Sequence, residues 1–146
     1  MKILIVEDHV ESARALDKLL TEKFQGQAEC FVASNLVEGL KLNREFNIDI
    51  TLLDLCLPDA SIEEVILSIR RFSQPVIIVT SISDENHDLE IKCYENYAQN
   101  FFTKEELREE IYNNMGASLV SSVTKSFYRE YLPKIREERE KRKLSK

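Results

Sequence analysis

The chain has 146 residues, 43% of them hydrophobic, with a formal charge of −6, which suits one domain with a modest extension and a genuine core, and excludes a disordered chain. No apolar run approaches the eighteen or more residues of a membrane span, and the N-terminus enters a strand-like run at once, so a soluble cytoplasmic protein with no membrane partner is expected. Cys30, Cys56 and Cys93 are odd in number and lack C-x-x-C spacing, so zinc and a disulfide framework are disfavoured and reduced, mostly buried thiols are expected.

The chain alternates strand-like and helix-like segments five times. A first strand over 2–6 precedes a helix over 10–24, whose inner face carries Val10, Ala13, Leu16, Leu19, Leu20 and Phe24. A second strand covers 27–33, and Ser34 or Asn35 caps the next helix, with Glu38 close behind. The third strand covers 48–53. Pro58-Asp59-Ala60-Ser61 then turns into a helix over 62–71, with Val65, Ile66 and Ile69 inward. A fourth strand at 76–80, a shorter helix at 85–94 and a fifth strand at 99–103 complete the alternation. A last helix starts at Lys104-Glu105-Glu106, where acids suit the positive end of the helix dipole.

Leu107, Ile111 and Met115 mark one face of that helix, and Leu119, Val120, Val123, Phe127 and Tyr131 carry the rhythm onward. Gly116 kinks or interrupts it, Pro133 starts a fresh turn, and the charged end from Arg136 to Lys146 frays. From Gly116 onward there are nine Lys or Arg against four Glu, leaving 11 basic against 22 acidic residues before it. An acidic body thus carries a basic tail. The tail's apolar stripe either folds back on the same domain or pairs with a second copy as a homodimer. Its acids interleave with its bases, which favours a solvated helix over a nucleic-acid site.

Short β-branched runs separated by amphipathic helices are the pattern of a buried parallel sheet, in which ligands sit beyond the carboxyl ends of the strands. Five polar residues stand at those ends. Val6 runs into Glu7 and Asp8, Leu53 into Asp54, Val79 into Thr80, and Thr103 into Lys104. Acids beside a lysine and a hydroxyl suit a divalent cation and an oxyanion such as phosphoryl. With only three glycines and no GxGxxG or P-loop, nucleotide binding is disfavoured.

Glu7-Asp8 after strand one, Asp54 after strand three, Thr80 after strand four and Lys104 after strand five together resemble the receiver domain of two-component response regulators. The resemblance covers roughly residues 1–115, with 116–146 a helical basic extension. It implies a doubly wound, five-stranded parallel sheet of the flavodoxin-like, CheY-like kind, with an extra C-terminal helix. It also implies that Asp8 and Asp54 ligate Mg²⁺, that Glu7 acts through water, and that the backbone carbonyl of Cys56 adds an oxygen. Asp54 would be the phosphoacceptor, taking phosphoryl from a histidine kinase or histidine phosphotransfer protein that docks near Val10 to Arg14. Lys104 would pair with a phosphoryl oxygen, and Thr80 would bond another.

In the family an aromatic on strand five turns inward behind the hydroxyl, and Phe101 matches that position without a hydroxyl of its own. The resulting change would reshape the surface from 84 to 112 for a downstream protein target. The protein would assist its own phosphorylation and dephosphorylation without being an enzyme on other substrates. Departures from the family pattern are Glu105 in place of the usual proline with its cis bond, Ser81 for alanine, Tyr97 for glycine, and Ala60-Ser61 for Asp-Gly. Cys56 and Ile82, two residues beyond Asp54 and Thr80, offer little to orient a water, so a long-lived acyl phosphate is expected. A phosphorylation-independent adaptor acting through the C-terminal helix is the second reading. A dehalogenase-type phosphatase is set aside because Cys56 stands where its second aspartate would be. His9 reads as a solvent-facing helix start near the site rim, and His87 has no evident partner.

Overall fold

A computed structural model describes residues 1–82, 87–114 and 116–144, without the side chains of 110–114, 128–136, 138 and 139. Five strands, β1 (Lys2–Val6), β2 (Glu29–Ala33), β3 (Ile50–Leu53), β4 (Val76–Thr80) and β5 (Asn100–Thr103), form one parallel sheet in the order β2-β1-β3-β4-β5. The helices are α1 (Val10–Lys23), α2 (Leu36–Glu45), α3 (Ile62–Ser68), α4 (Asp88–Glu95), α5 (Lys104–Asn114) and α6 (Ala117–Leu144). This is the expected doubly wound sheet.

Strand alternation sends side chains to two cores. Leu4, Val6, Leu53, Ile78 and Phe101 face α2, α3 and α4, while Ile3, Ile5, Leu52, Ile77 and Phe102 face α1, α5 and α6. Both faces are covered, which is why the strands read as near-continuous apolar runs rather than alternating ones. At α2 the helix must come close to β1: a Cβ on Gly39 would stand 2.8 Å from Cγ2 of Val6. Glycine there lets the helix lie against the strand that ends at the acidic pair.

The caps set where the helices begin. The Asn35 side chain accepts from Glu38 N–H, and Ser34 N–H donates back to the Glu38 carboxylate. The remaining first-turn amides of α2, those of Leu36 and Val37, both donate to Asp59 from the loop after β3. Ser61 and Glu64 form a reciprocal capping box on α3.

Several boundaries and faces differ from expectation. Gln27 and Ala28 precede β2 because Gln27 N–H closes a turn onto the Phe24 carbonyl. The third helix ends at Ser68 and continues as a 3₁₀ turn over Ile69–Arg71. Val10, the first residue of α1, is 60% exposed rather than inward. Of the three free cysteines only Cys93 is buried, while Cys56 is exposed. The expected start of the fourth helix, at 85 and 86, lies outside the described residues, as do Met115 and the side chains of Ile111 and Tyr131.

Gly116, at φ 72°, breaks the helical run between α5 and α6. Beyond it Leu119 and Val123 are wholly buried and Phe127 packs against the same cluster as Ile3, Ile5 and Ile77. The stripe therefore folds back on its own domain at least to Phe127. Asn100 on β5 fastens it further by donating to Ser122 Oγ at 3.1 Å. Contrary to expectation, α6 runs without a fresh turn at Pro133 and stays helical through the charged end to Leu144. The flanking Glu, Arg and Lys are strong helix formers and carry the helix across the missing donor. Among the described residues no helix is long and apolar enough to cross a membrane.

Candidate functional site

The strand ends deliver their polar residues to one rim because parallel strands all end on the same side. Val6 pairs with Leu53 in register, so Glu7 and Asp54 follow adjacent strand ends. Asp54 N–H then donates to the Val6 carbonyl and Glu7 N–H to the Ala33 carbonyl, which pins both backbones. Thr80 pairs with Thr103, which brings Lys104 to the same rim.

Glu7 and Asp54 are each only 3% exposed. Lys104 Nζ lies between them, 2.7 Å from Glu7 Oε2 and 3.1 Å from Asp54 Oδ2. The other Asp54 oxygen, Oδ1, accepts from Cys56 N–H at 3.1 Å. The second Glu7 oxygen accepts from His9 N–H at 3.0 Å, while the His9 ring caps α1 through Ser12 N–H. Asp8 is exposed, and one carboxylate oxygen each from Glu7, Asp8 and Asp54 lies within 4.8 Å of the others. There is no cis peptide among the described residues, and Lys104 reaches both carboxylates with Glu105 following it.

In this cluster three carboxylates gather around one ammonium. Burial, then the hydrogen bond with Asp54, pushes the Glu7 carboxyl up to about 7, although Lys104 pulls the other way. Burial would lower the Lys104 ammonium, but its bonds to Glu7 and Asp54 outweigh that and hold it above its ordinary value. Partial burial and the Asp54 carboxylate likewise raise the Cys56 thiol. Three carboxylates against one ammonium fit a hard divalent cation with oxygen ligands, which would relieve the strain on Glu7.

A cavity of about 510 Å³ opens over the cluster, lined by Glu7, Asp8, Asp54, Cys56 and Lys104 among others. Thr80 is wholly buried, does not line this cavity, and accepts Ile82 N–H on its hydroxyl at 3.4 Å. Phe101 lies below, buried in the core on the α2–α4 side. The lining also includes residues that the strand ends do not assign to the site, among them Glu11, Ser12, Ala15 and Arg108, together with Ser81, which the sequence marks only as a departure from the family pattern. Arg108 had a signal, since it lies one helical turn beyond Lys104. His87 sits before α4 at φ 59° and makes no side-chain cap.

The sequence profile of the response regulator receiver domain matches residues 3–115. This chain belongs to that family. The receiver is 31% identical over 123 residues to the transcriptional regulatory protein YdfI of Bacillus subtilis, covering 84% of this chain and 56% of that protein. It is 28% identical over 106 residues to the cell cycle transcriptional regulator CtrA of Caulobacter vibrioides, covering 71% and 44%. The chain thus spans about half the length of these relatives. Among solved structures, the response regulator domain of Thermotoga maritima CheB superposes with a TM-score of 0.72 at 20% identity, over 87% of this chain and 96% of that one. The signal receiver domain of a putative LuxO repressor from Vibrio parahaemolyticus gives 0.70 at 20% identity, over 90% and 95%. At such identity these structures speak to the fold.

Proposed function

We propose that this receiver is a phosphoacceptor, phosphorylated on Asp54 in a Mg²⁺-dependent transfer from a histidine kinase or histidine phosphotransfer protein. The observation that carries this is Lys104 Nζ set between two buried carboxylates at the rim of a parallel sheet, with Asp8 beside them. Asp8, Asp54 and the Cys56 carbonyl would hold the ion, with Glu7 acting through water. When bound, Mg²⁺ neutralises charge on the phosphoryl oxygens.

The remaining work falls to the chain. Cys56 N–H holds one Asp54 oxygen, which fixes the carboxylate while an oxygen attacks phosphorus. The new O–P bond forms as the donor's P–N bond breaks, its electron pair returning to the imidazole. Lys104 leaves its carboxylate partners for a phosphoryl oxygen, and Thr80 turns its hydroxyl from Ile82 N–H to another. Phe101 would shift behind it, and the segment 84–112, of which 84–86 and the side chains of 110–112 lie outside the described residues, would report the change to a protein target. Residues 1–115 would carry the chemistry and 116–146 would serve output, including any homodimer through the C-terminal helix. In this reading the protein works in the cytoplasm, acts on no separate substrate, and uses the tail for protein rather than nucleic-acid contact. Cys56 and Ile82, two residues beyond Asp54 and Thr80, offer little to orient an attacking water, which makes hydrolysis of the acyl phosphate slow.

The test is intact-mass analysis after incubation with Mg²⁺ and phosphoramidate. One phosphoryl group on the wild type and none on Asp54→Ala support the reading. Equal incorporation in both, or incorporation that persists in EDTA, refutes it.

A further inference from the structure

Outside the acidic cluster, the cavity holds more than a phosphoryl group needs. Its volume of about 510 Å³ compares with ~30 Å³ for a water's share of the liquid. Besides the acidic cluster its lining includes Ala15 and Leu16 of α1, Val79 of β4 and Leu107 of α5, which make an apolar wall. Arg108, exposed on α5, lines this same space and lies four residues beyond Lys104, on the same side of the helix. It makes no hydrogen bond or ion pair with any described residue. Lys104 pairs with Glu7 and Asp54 here and in the reading above moves to a phosphoryl oxygen, so Arg108 is a cation in the cavity to which that reading gives no role.

In-line displacement sets where a leaving group must go. Asp54 is only 3% exposed, so a group leaving on the far side of phosphorus departs into the open cavity, whose lining includes the exposed Arg108. The geometry points to Arg108 as the residue that receives the carboxylate leaving group of a small acyl phosphate donor, with the apolar wall taking its alkyl end. This rests on the Asp54 reading above and adds a donor preference to it. In the step, an Asp54 oxygen bonds phosphorus and the P–O bond to the acyl group breaks. Its electron pair stays on the acyl oxygen, and the negative charge gathering there is what a guanidinium stabilises. A donor with a P–N bond instead releases a neutral amine, on which Arg108 has no charge to act.

The two donors therefore separate this role from a general one. Initial rates of Asp54 phosphorylation are measured with Mg²⁺ and either acetyl phosphate or phosphoramidate, for the full chain and Arg108→Gln, with Lys41→Gln on α2 as a remote charge control. Arg108→Gln should slow the acetyl phosphate reaction by about tenfold, the worth of one charge-assisted hydrogen bond. The phosphoramidate rate should hold, which also shows that the variant is folded. Equal slowing with both donors, no slowing, or the same loss in Lys41→Gln overturns the inference. If neither donor phosphorylates the wild type, the Asp54 reading itself fails and this role falls with it.

Discussion

Holding Glu7 ionised without a metal ion should cost this protein stability that can be measured. Its carboxyl is displaced upward from an ordinary 4.5 to about 7, mainly by burial and secondly by its bond with Asp54. Between those values the folded state holds a proton that the unfolded chain has released, so stability falls as pH rises through the window and levels off above it. Each pKa unit corresponds to about 1.36 kcal/mol, so the fall is on the order of 3 kcal/mol. Other displaced groups act elsewhere. Lys104, Cys56, Cys30 and Tyr94 are raised from ordinary values of 9 or above, and Asp59 is lowered from 3.8. Urea unfolding in EDTA at pH 5 and pH 8, followed by far-UV circular dichroism, should show the wild type weaker at pH 8. Glu7→Gln cannot release the proton and should lose most of that difference, and millimolar Mg²⁺ should restore the wild type at pH 8. A wild type equally stable at both values, or a Glu7→Gln variant with the same slope, would refute the reasoning.

Three further substitutions test how the fold presents the site. Gly39→Ala places a Cβ 2.8 Å from Val6 and should destabilise by about 1–3 kcal/mol in urea unfolding; a neutral result would mean that α2 moves freely from β1. Asp59→Ala strips the first-turn amides of Leu36 and Val37 of their acceptor and should cost about 0.5–2 kcal/mol, read as a lowered urea midpoint. Leu119→Ala empties a wholly buried position on α6 and should cost about 2–5 kcal/mol; an effect below 1 kcal/mol would mean that α6 is not part of the core.

The sheet was legible because each strand is buried on both faces and so spells itself as a compact apolar run. The site was legible for a related reason: Glu7, Asp54 and Lys104 each follow such a run directly, and parallel strands finish on one side. Asp59 was not, since it caps a helix 22 residues earlier in the chain, and that partnership exists only once β1 and β3 lie side by side. Arg108 was not legible because lining a cavity depends on the angle at which α5 leaves the sheet. Val10 misled because helical periodicity says which face a residue is on, but not whether anything lies beneath it. Pro133 misled because its missing donor is a local penalty, about 3 kcal/mol, which the helix-forming residues on either side offset.

The account stands or falls on where the phosphoryl group attaches. After reaction with Mg²⁺ and a phosphodonor, borohydride reduction of the acyl phosphate followed by peptide mass spectrometry locates the modified residue. A single reduced site at Asp54 is the predicted result. A modified site at Asp8, Glu7 or any other residue, with Asp54 intact, would contradict it.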